Sequence, residues 1–181
     1  MKIRTASVAD AEAIAAIYAP IVSETAISFE WVPPTVEEFR ERIAKTLSKY
    51  AWLVATDDAE KIAGYVFAGG HKDPASYQWS VNTSVYIRAD RRGRGVGKVL
   101  YIELFRQLVS LGYHRAFAGV ALPNPASVAL HESVGFKPVG IYQNVGFKFG
   151  AWRDVGWWQK DLQPPEVLPQ KPPSPWTTTK I

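Results

Sequence analysis

Cysteine is missing from all 181 positions. No disulfide framework, thiol nucleophile or cysteine-based metal site can therefore exist, and the chain suits a reducing compartment. Long apolar runs are missing too. Nowhere do eighteen consecutive apolar residues occur, and the opening Met1-Lys2-Ile3-Arg4-Thr5-Ala6 has no apolar core of a secretory signal. These absences predict a cytoplasmic protein with no membrane partner. Nor does one charge sign dominate: the formal net charge is +4. The basic side chains gather at Arg88, Arg91, Arg92, Arg94 and Lys98, not along a face interleaved with aromatics. That argues against a nucleic-acid partner and for a small polyanion. No set of histidines and carboxylates has metal-ligand spacing, so no metal is expected. Internal repeats are also absent.

What is present fits one domain and a tail. A chain of 181 residues at 47% hydrophobic can bury one substantial core but hardly two. Pro164, Pro165, Pro169, Pro172, Pro173 and Pro175 deny helix and central strand to the end of the chain. The expected division is a domain over residues 1–162 and an extended Pro-rich tail over 163–181, draped on the domain through Val167, Leu168 and Trp176.

Hydrophobic periodicity predicts an alternating plan. A strand at 2–5 leads to a helix opening near Ser7 and carrying Ala11, Ile14, Ala15, Ile17 and Tyr18, which Pro20 should kink or end. Thr35 and Glu38 form a capping box ahead of Phe39, Ile43 and Leu47. Strands follow at 52–56, 62–68 and 80–87, then a helix from about Gly95 to Leu111 closed by Gly112. Its buried stripe reads Val99, Leu100, Ile102, Leu104, Phe105, Leu108 and Leu111. A strand at 115–121, a helix over 125–134 and strands near 137–145 and 152–161 complete the chain. The pattern predicts an α/β protein with helices on both faces of a mixed, mostly antiparallel sheet.

The stretch Arg91-Arg92-Gly93-Arg94-Gly95-Val96-Gly97-Lys98 carries the strongest chemical signal. It follows the apolar Val85-Tyr86-Ile87 and runs into a helical pattern. Glycines at 93, 95 and 97 leave backbone N–H groups unmasked beside a helix N-terminus, which is a pocket for a pyrophosphate. A nucleotide-hydrolase P-loop does not fit, because Gly97-Lys98 is followed by Val99 and not by a hydroxyl residue for magnesium. A dinucleotide-binding reading does not fit either, since the glycines stand in the wrong register.

Arginine, two residues, glycine, one residue and glycine after a strand (Arg92, Gly95, Gly97) resembles the acetyl-CoA loop of the GNAT N-acetyltransferase superfamily. Further blocks stand in order around it: Tyr77-Gln78-Trp79-Ser80, Ser84-Val85-Tyr86-Ile87, Leu122-Pro123-Asn124-Pro125-Ala126-Ser127, His131-Glu132-Ser133-Val134-Gly135-Phe136, and Val145 through Gly156. Over about residues 2–162 the chain resembles the phosphinothricin and methionine sulfoximine acetyltransferases.

That resemblance implies a GNAT fold, acetyl-CoA as co-substrate, a homodimer, and transfer of acetyl to the α-amine of a small glutamate-like amino acid. It implies that the backbone of Val85, Tyr86 and Ile87 pairs with pantetheine and that Arg92, Gly93, Arg94, Gly95, Val96, Gly97 and Lys98 cradle the pyrophosphate. Asn124 and Ser133 would line the cofactor surface, although Asn before Pro also starts helices and Ser133 could simply end one. Lys72, Ala75, Ser76, Tyr77 and Gln78 are the implied acceptor-binding residues. Phe29, Trp31, Tyr77, Trp79, Phe147, Phe149 and Trp152 could wall the cleft, while most aromatics serve core or interface.

His131 occupies the place where the family carries a tyrosine that protonates the departing thiolate. An imidazole can do that near neutral pH, though a lone helical histidine is often structural. The family commonly has Glu where this chain has Asn82, and an amide cannot take a proton. The base then lies elsewhere, with Glu30 and His71 as candidates, or Asn82 holds a water that relays the proton. Two other readings stay open: a CoA-binding regulatory protein without activity, and a protein N-terminal acetyltransferase.

Overall fold

The computed structural model describes residues 1–176. Strand β1 (Lys2–Thr5) leads into helix α1 (Ala11–Glu24) and then α2 (Val36–Leu47), followed by β2 (Trp52–Thr56), β3 (Ile62–Gly70) and β4 (Ser80–Ile87). Helix α3 (Val96–Leu111), β5 (Arg115–Ala121), α4 (Pro125–Ser133), β6 (Lys137–Lys148) and β7 (Ala151–Asp161) complete the order. Among the described residues one sheet runs β1-β2-β3-β4-β5-β7-β6. Every neighbouring pair is antiparallel except β4 with β5. The expected mixed sheet with helices on both faces is what forms.

Alternation along the strands feeds two cores. Leu53 and Ala55 face the cluster built with α3, through Leu100, Tyr101, Leu104 and Leu108. Trp52 and Val54 face the cluster built with α1 and α2, through Ile14, Tyr18, Phe39 and Ile43. That is why β2 is buried along its whole length: successive side chains serve opposite layers. The Thr35 capping box forms as expected, with Glu38 N–H donating to Thr35 Oγ1 at 3.2 Å and Thr35 N–H donating to Glu38 Oε2 at 2.6 Å.

Three sequence expectations need correction. Of the two outcomes expected at Pro20, a kink or an end, the end does not occur: Pro20 sits inside α1, and the helix continues to Glu24. Pro20 and Ala16 are both exposed, so the carbonyl that loses its i+4 donor can be hydrated, while buried Ile17, Tyr18, Ile21 and Val22 hold both halves on the core. In α3, Val99 and Ile102 are exposed. The buried stripe instead runs through Val96, Leu100, Tyr101, Leu104, Phe105 and Leu108, because Tyr101 replaces Ile102 on the inner face. In the tail, Val167 and Leu168 are exposed and Trp176 alone of the three is buried. Ser174 N–H donates to Leu111 O at 2.8 Å, Trp176 N–H to Lys49 O at 3.2 Å, and Trp79 Nε1 to Lys171 O at 3.1 Å. The last residues of the expected tail, 177–181, lie outside the described residues. No helix among the described residues is long and apolar enough to cross a membrane.

Candidate active site

The site begins where the parallel pair comes apart. β4 and β5 pair only through Ser80, Val81 and Asn82 against Arg115, Ala116 and Phe117. Beyond that rung β4 continues along β3 as far as Ile87 opposite Gly64, and β5 continues along β7 as far as Ala121 opposite Val155. The two inner edges from Thr83 and Ala118 onward therefore have no strand partner and form the walls of a V. Unpaired backbone at such an edge is costly unless something satisfies it. At the apex Thr83 Oγ1 donates to Phe117 O at 3.1 Å. Thr83, Ser84, Val85 and Tyr86 line one wall of the groove, Gly119, Val120 and Ala121 the other, with Asn124, Ser127 and His131 of α4 beside them.

The glycine loop stands at the open end of β4. Gly93 and Gly95 have φ of +70° and +80° with nothing within 4 Å of a would-be Cβ, so backbone conformation is what demands glycine there. Gly97 is different, since a Cβ would meet Leu130 Cδ2 at 2.7 Å; it lets α3 and α4 approach. Among the described residues the amides from Gly93 to Lys98 meet no acceptor, and the first helical bond is Val99 N–H to Gly95 O at 3.1 Å. Those amides and the α3 N-terminus fit a diphosphate.

The basic cluster divides in two. Arg88 and Arg91 donate to Asp57 at 2.9 and 2.8 Å, and Arg88 also reaches Ile62 O at 2.8 Å. The hydrogen bond from Arg88, aided by the Lys61 and Ala59 N–H groups and by Arg91, holds the Asp57 carboxyl down to about 2. These two arginines brace the loop. Arg92 donates to Ile87 O at 3.3 Å, and Arg94 and Lys98 stand exposed beside the free amides.

On the α1/α2 face, Asn82 and Tyr86 of β4 share a side with Phe117, Gly119 and Ala121 of β5 and with Arg153, Val155 and Trp157 of β7, by strand alternation. A cavity of about 420 Å³ opens there, roofed by Ile27, Ser28, Phe29 and Glu30 and floored by Tyr86, Gly119, Ala121 and Val155. The roof is tied down by Lys148, whose Nζ donates to Val22 O at 2.6 Å and Ser28 O at 2.7 Å. Gly146 leaves room for Phe29, whose ring a Cβ would strike. A neighbouring cavity of about 330 Å³ is lined by Ile27, Ala121, Phe149 and Arg153. The buried Arg153 Nε has no partner among the described residues.

The candidate residues meet different fates. Asn82 Oδ1 lies 2.9 Å from His71 Nδ1. Glu30 is gripped by Arg42 at 2.8 and 3.1 Å and by the Tyr18 hydroxyl at 3.0 Å; the Arg42 bond lowers its proton affinity, which leaves it a weak base. His131 is buried, with Nδ1 donating to Ser127 O at 2.7 Å, so its Nε2 accepts from the Tyr101 hydroxyl at 2.8 Å. Burial lowers its pKa, and as placed it has no spare N–H for a departing sulfur. Asn124 caps α4, its Oδ1 accepting from Ser127 N–H at 3.2 Å, and also lines the groove. Ser133 does not line it: its exposed hydroxyl donates to Leu130 O at 2.7 Å, and on α4 it is Ser127 that faces the cleft.

Lys72, Ala75, Ser76, Tyr77 and Gln78 are exposed around a short turn at Ala75–Tyr77. Only Tyr77 turns inward, with its ring 5.8 Å from that of His71. Trp31 and Trp152 are exposed and do not wall the cleft, whereas Phe29 and Phe149 do. Among the described residues no group of three or more His, Asp or Glu side chains could hold a metal ion. Lys148 and Arg153 were not legible as site residues, because nothing in their spacing marks one as buried and the other as unpaired.

The acetyltransferase (GNAT) domain model matches residues 3–157. The chain belongs to the GNAT acetyltransferases. It is similar to the phosphinothricin N-acetyltransferase of Streptomyces coelicolor, 39% identical over 84% of this chain and 91% of the relative. The L-methionine sulfoximine/L-methionine sulfone acetyltransferase of Pseudomonas aeruginosa is 34% identical over 92% of this chain and 98% of its own. Among solved structures, a phosphinothricin acetyltransferase from Sinorhizobium meliloti in complex with acetyl-CoA superposes with a TM-score of 0.91 at 30% identity, covering 98% of this chain and 97% of that one. This GNAT chain is thus an acyltransferase.

Proposed function

We propose that this enzyme moves acetyl from acetyl-CoA directly onto the α-amine of a small, glutamate-like amino acid of the phosphinothricin, methionine sulfoximine or methionine sulfone type, within a ternary complex. The observation that carries the reading is the unpaired fork that leads from the free amides at Gly93–Lys98 to a roofed cavity of about 420 Å³. The two amides of pantetheine would pair with the backbone of Val85, Tyr86 and Ile87. An N–H group of the same edge would hold the thioester oxygen as charge develops on it.

Direct transfer agrees with the absence of cysteine, which leaves no thiol to carry an acetyl group. Lys72 is an exposed point charge for the acceptor's anionic group, and Arg153 adds an unpaired guanidinium on the acceptor face. The roof formed by Ser28, Phe29 and Glu30 favours a compact acceptor over a peptide. A second copy of the chain would cover the edge strand β6, where Val139, Ile141, Tyr142 and Val145 are exposed.

A thiol-release screen of amino acids and short peptides with acetyl-CoA tests the proposal. Acetyl-dependent release with the named amino acids and none with peptides is expected. Tight acetyl-CoA binding without release on any amino acid would favour the regulatory reading and overturn this one.

A further inference from the structure

We infer that His71, oriented by Asn82, is the general base that takes the acceptor's ammonium proton. The inference rests on the acetyl-transfer reading above and deepens it.

The hydrogen-bond direction comes first. An amide oxygen only accepts, so the proton in the 2.9 Å contact between Asn82 Oδ1 and the ring belongs to His71 Nδ1. A neutral imidazole with its hydrogen on Nδ1 carries its lone pair on Nε2. Asn82 cannot itself accept a proton, but it selects the tautomer that can.

Position comes second. Asn82 pairs with Phe117 on the last parallel rung, and the fork opens at the next residue. The His71 ring stacks on Phe117 with centroids 4.2 Å apart and planes at 18°, which pins it at the apex on the acceptor face. From Ile87 at the loop end to Asn82, β4 runs about 17 Å at ~3.3 Å per residue. An extended pantetheine arm laid along that edge brings its thioester to the apex.

The remaining groups leave the task to His71. The ring faces the Phe117 ring, the Trp157 edge at 6.5 Å, the Tyr77 phenol at 5.8 Å and the Asn82 amide. Its chain neighbours Lys72 and Asp73 are exposed, and its side-chain hydrogen bond among the described residues goes to Asn82. Of the other histidines, His131 is committed to Tyr101 and Ser127, and His114 is buried just before β5. Glu30 is committed to Arg42.

The step balances. His71 Nε2 takes one proton from the ammonium and passes it to solvent. The freed nitrogen lone pair forms the N–C bond to the thioester carbonyl, and the C–S bond breaks with its electrons on sulfur. The second proton lost by nitrogen leaves on that sulfur as the thiol.

The test is the pH dependence of acceptor kcat/KM at saturating acetyl-CoA for wild type, His71→Gln and Asn82→Asp, with calorimetry of acetyl-CoA binding. His71→Gln should lower the rate about 10²- to 10⁴-fold at neutral pH. Acetyl-CoA affinity should not change, and the loss should shrink as the pH rises and the amine ionises unaided. Asn82→Asp places a carboxylate against the imidazolium and should move the acid limb to higher pH. A wild-type profile in His71→Gln, or a loss equal at every pH with weakened acetyl-CoA binding, overturns the assignment; so does an unmoved limb in Asn82→Asp. If wild type releases no thiol with any amino acid, the transfer reading falls and takes this one with it. If wild type is active and only the variant results fail, the base assignment alone is wrong.

Discussion

Replacing Lys148 with methionine should loosen the roof of the cavity proposed to take the acceptor. Lys148 is 1% exposed, and its ammonium is the donor to both Val22 O and Ser28 O, at 2.6 and 2.7 Å. Methionine fills nearly the same volume but donates nothing. Each carbonyl left without a donor costs about 1–3 kcal/mol, and relief from burying an ammonium offsets part of that. A net loss of about 2–3 kcal/mol is expected, or a midpoint of thermal unfolding lower by roughly 5–10 °C. Ser28 lies in a loop, so its segment can lift to hydrate the carbonyls without unfolding the sheet. The acceptor KM should therefore rise while acetyl-CoA affinity, which the proposal places on the loop on the other side of β4, stays the same. Urea unfolding and steady-state kinetics with acceptor varied read both quantities. Stability within about 0.5 kcal/mol of wild type together with an unchanged acceptor KM would refute the reasoning.

Two other substitutions probe the opposite end of the cleft. Gly95→Val forces a β-branched residue to φ near +80°. At about 1–2 kcal/mol of strain the loop should shift its amides and weaken acetyl-CoA binding about tenfold by calorimetry; unchanged affinity would show that those amides do not bind the cofactor. Asp57 is held down to about 2, chiefly by Arg88, below an unfolded value of ~3.9. Its stabilising contribution is complete above pH ~4 and is lost as pH falls through about 2. Thermal midpoints of Asp57→Asn should fall less steeply with acid than those of wild type over that window, and parallel curves would contradict this.

Much of the fold could be read from the chain because its signals are local. The Thr35 box and the positive-φ glycines at 95 and 112 each depend on neighbours a few residues away. Pro20 did not end the helix because the buried residues around it hold both halves on the core, and burial is not a local property. Val99 and Ile102 misled because hydrophobicity does not distinguish two adjacent faces of an apolar helix. Tyr101, with a polar tip, took the inner one by reaching His131 and Thr83.

The residue order by itself determined the sheet with its helices, the loop that offers bare amides to a diphosphate, and the absence of a thiol route. Those follow from backbone preferences and side-chain chemistry over short spans. Only tertiary structure decided that Arg88 and Arg91 brace the loop, that Glu30 is spent on Arg42, that Lys148 is a buried strut, and that His71 meets Asn82 at the fork. Each of these depends on which groups eleven or more residues apart are brought within hydrogen-bond distance. A carboxylate, ammonium or imidazole changes its chemistry according to that partner, and no spacing along the chain names it.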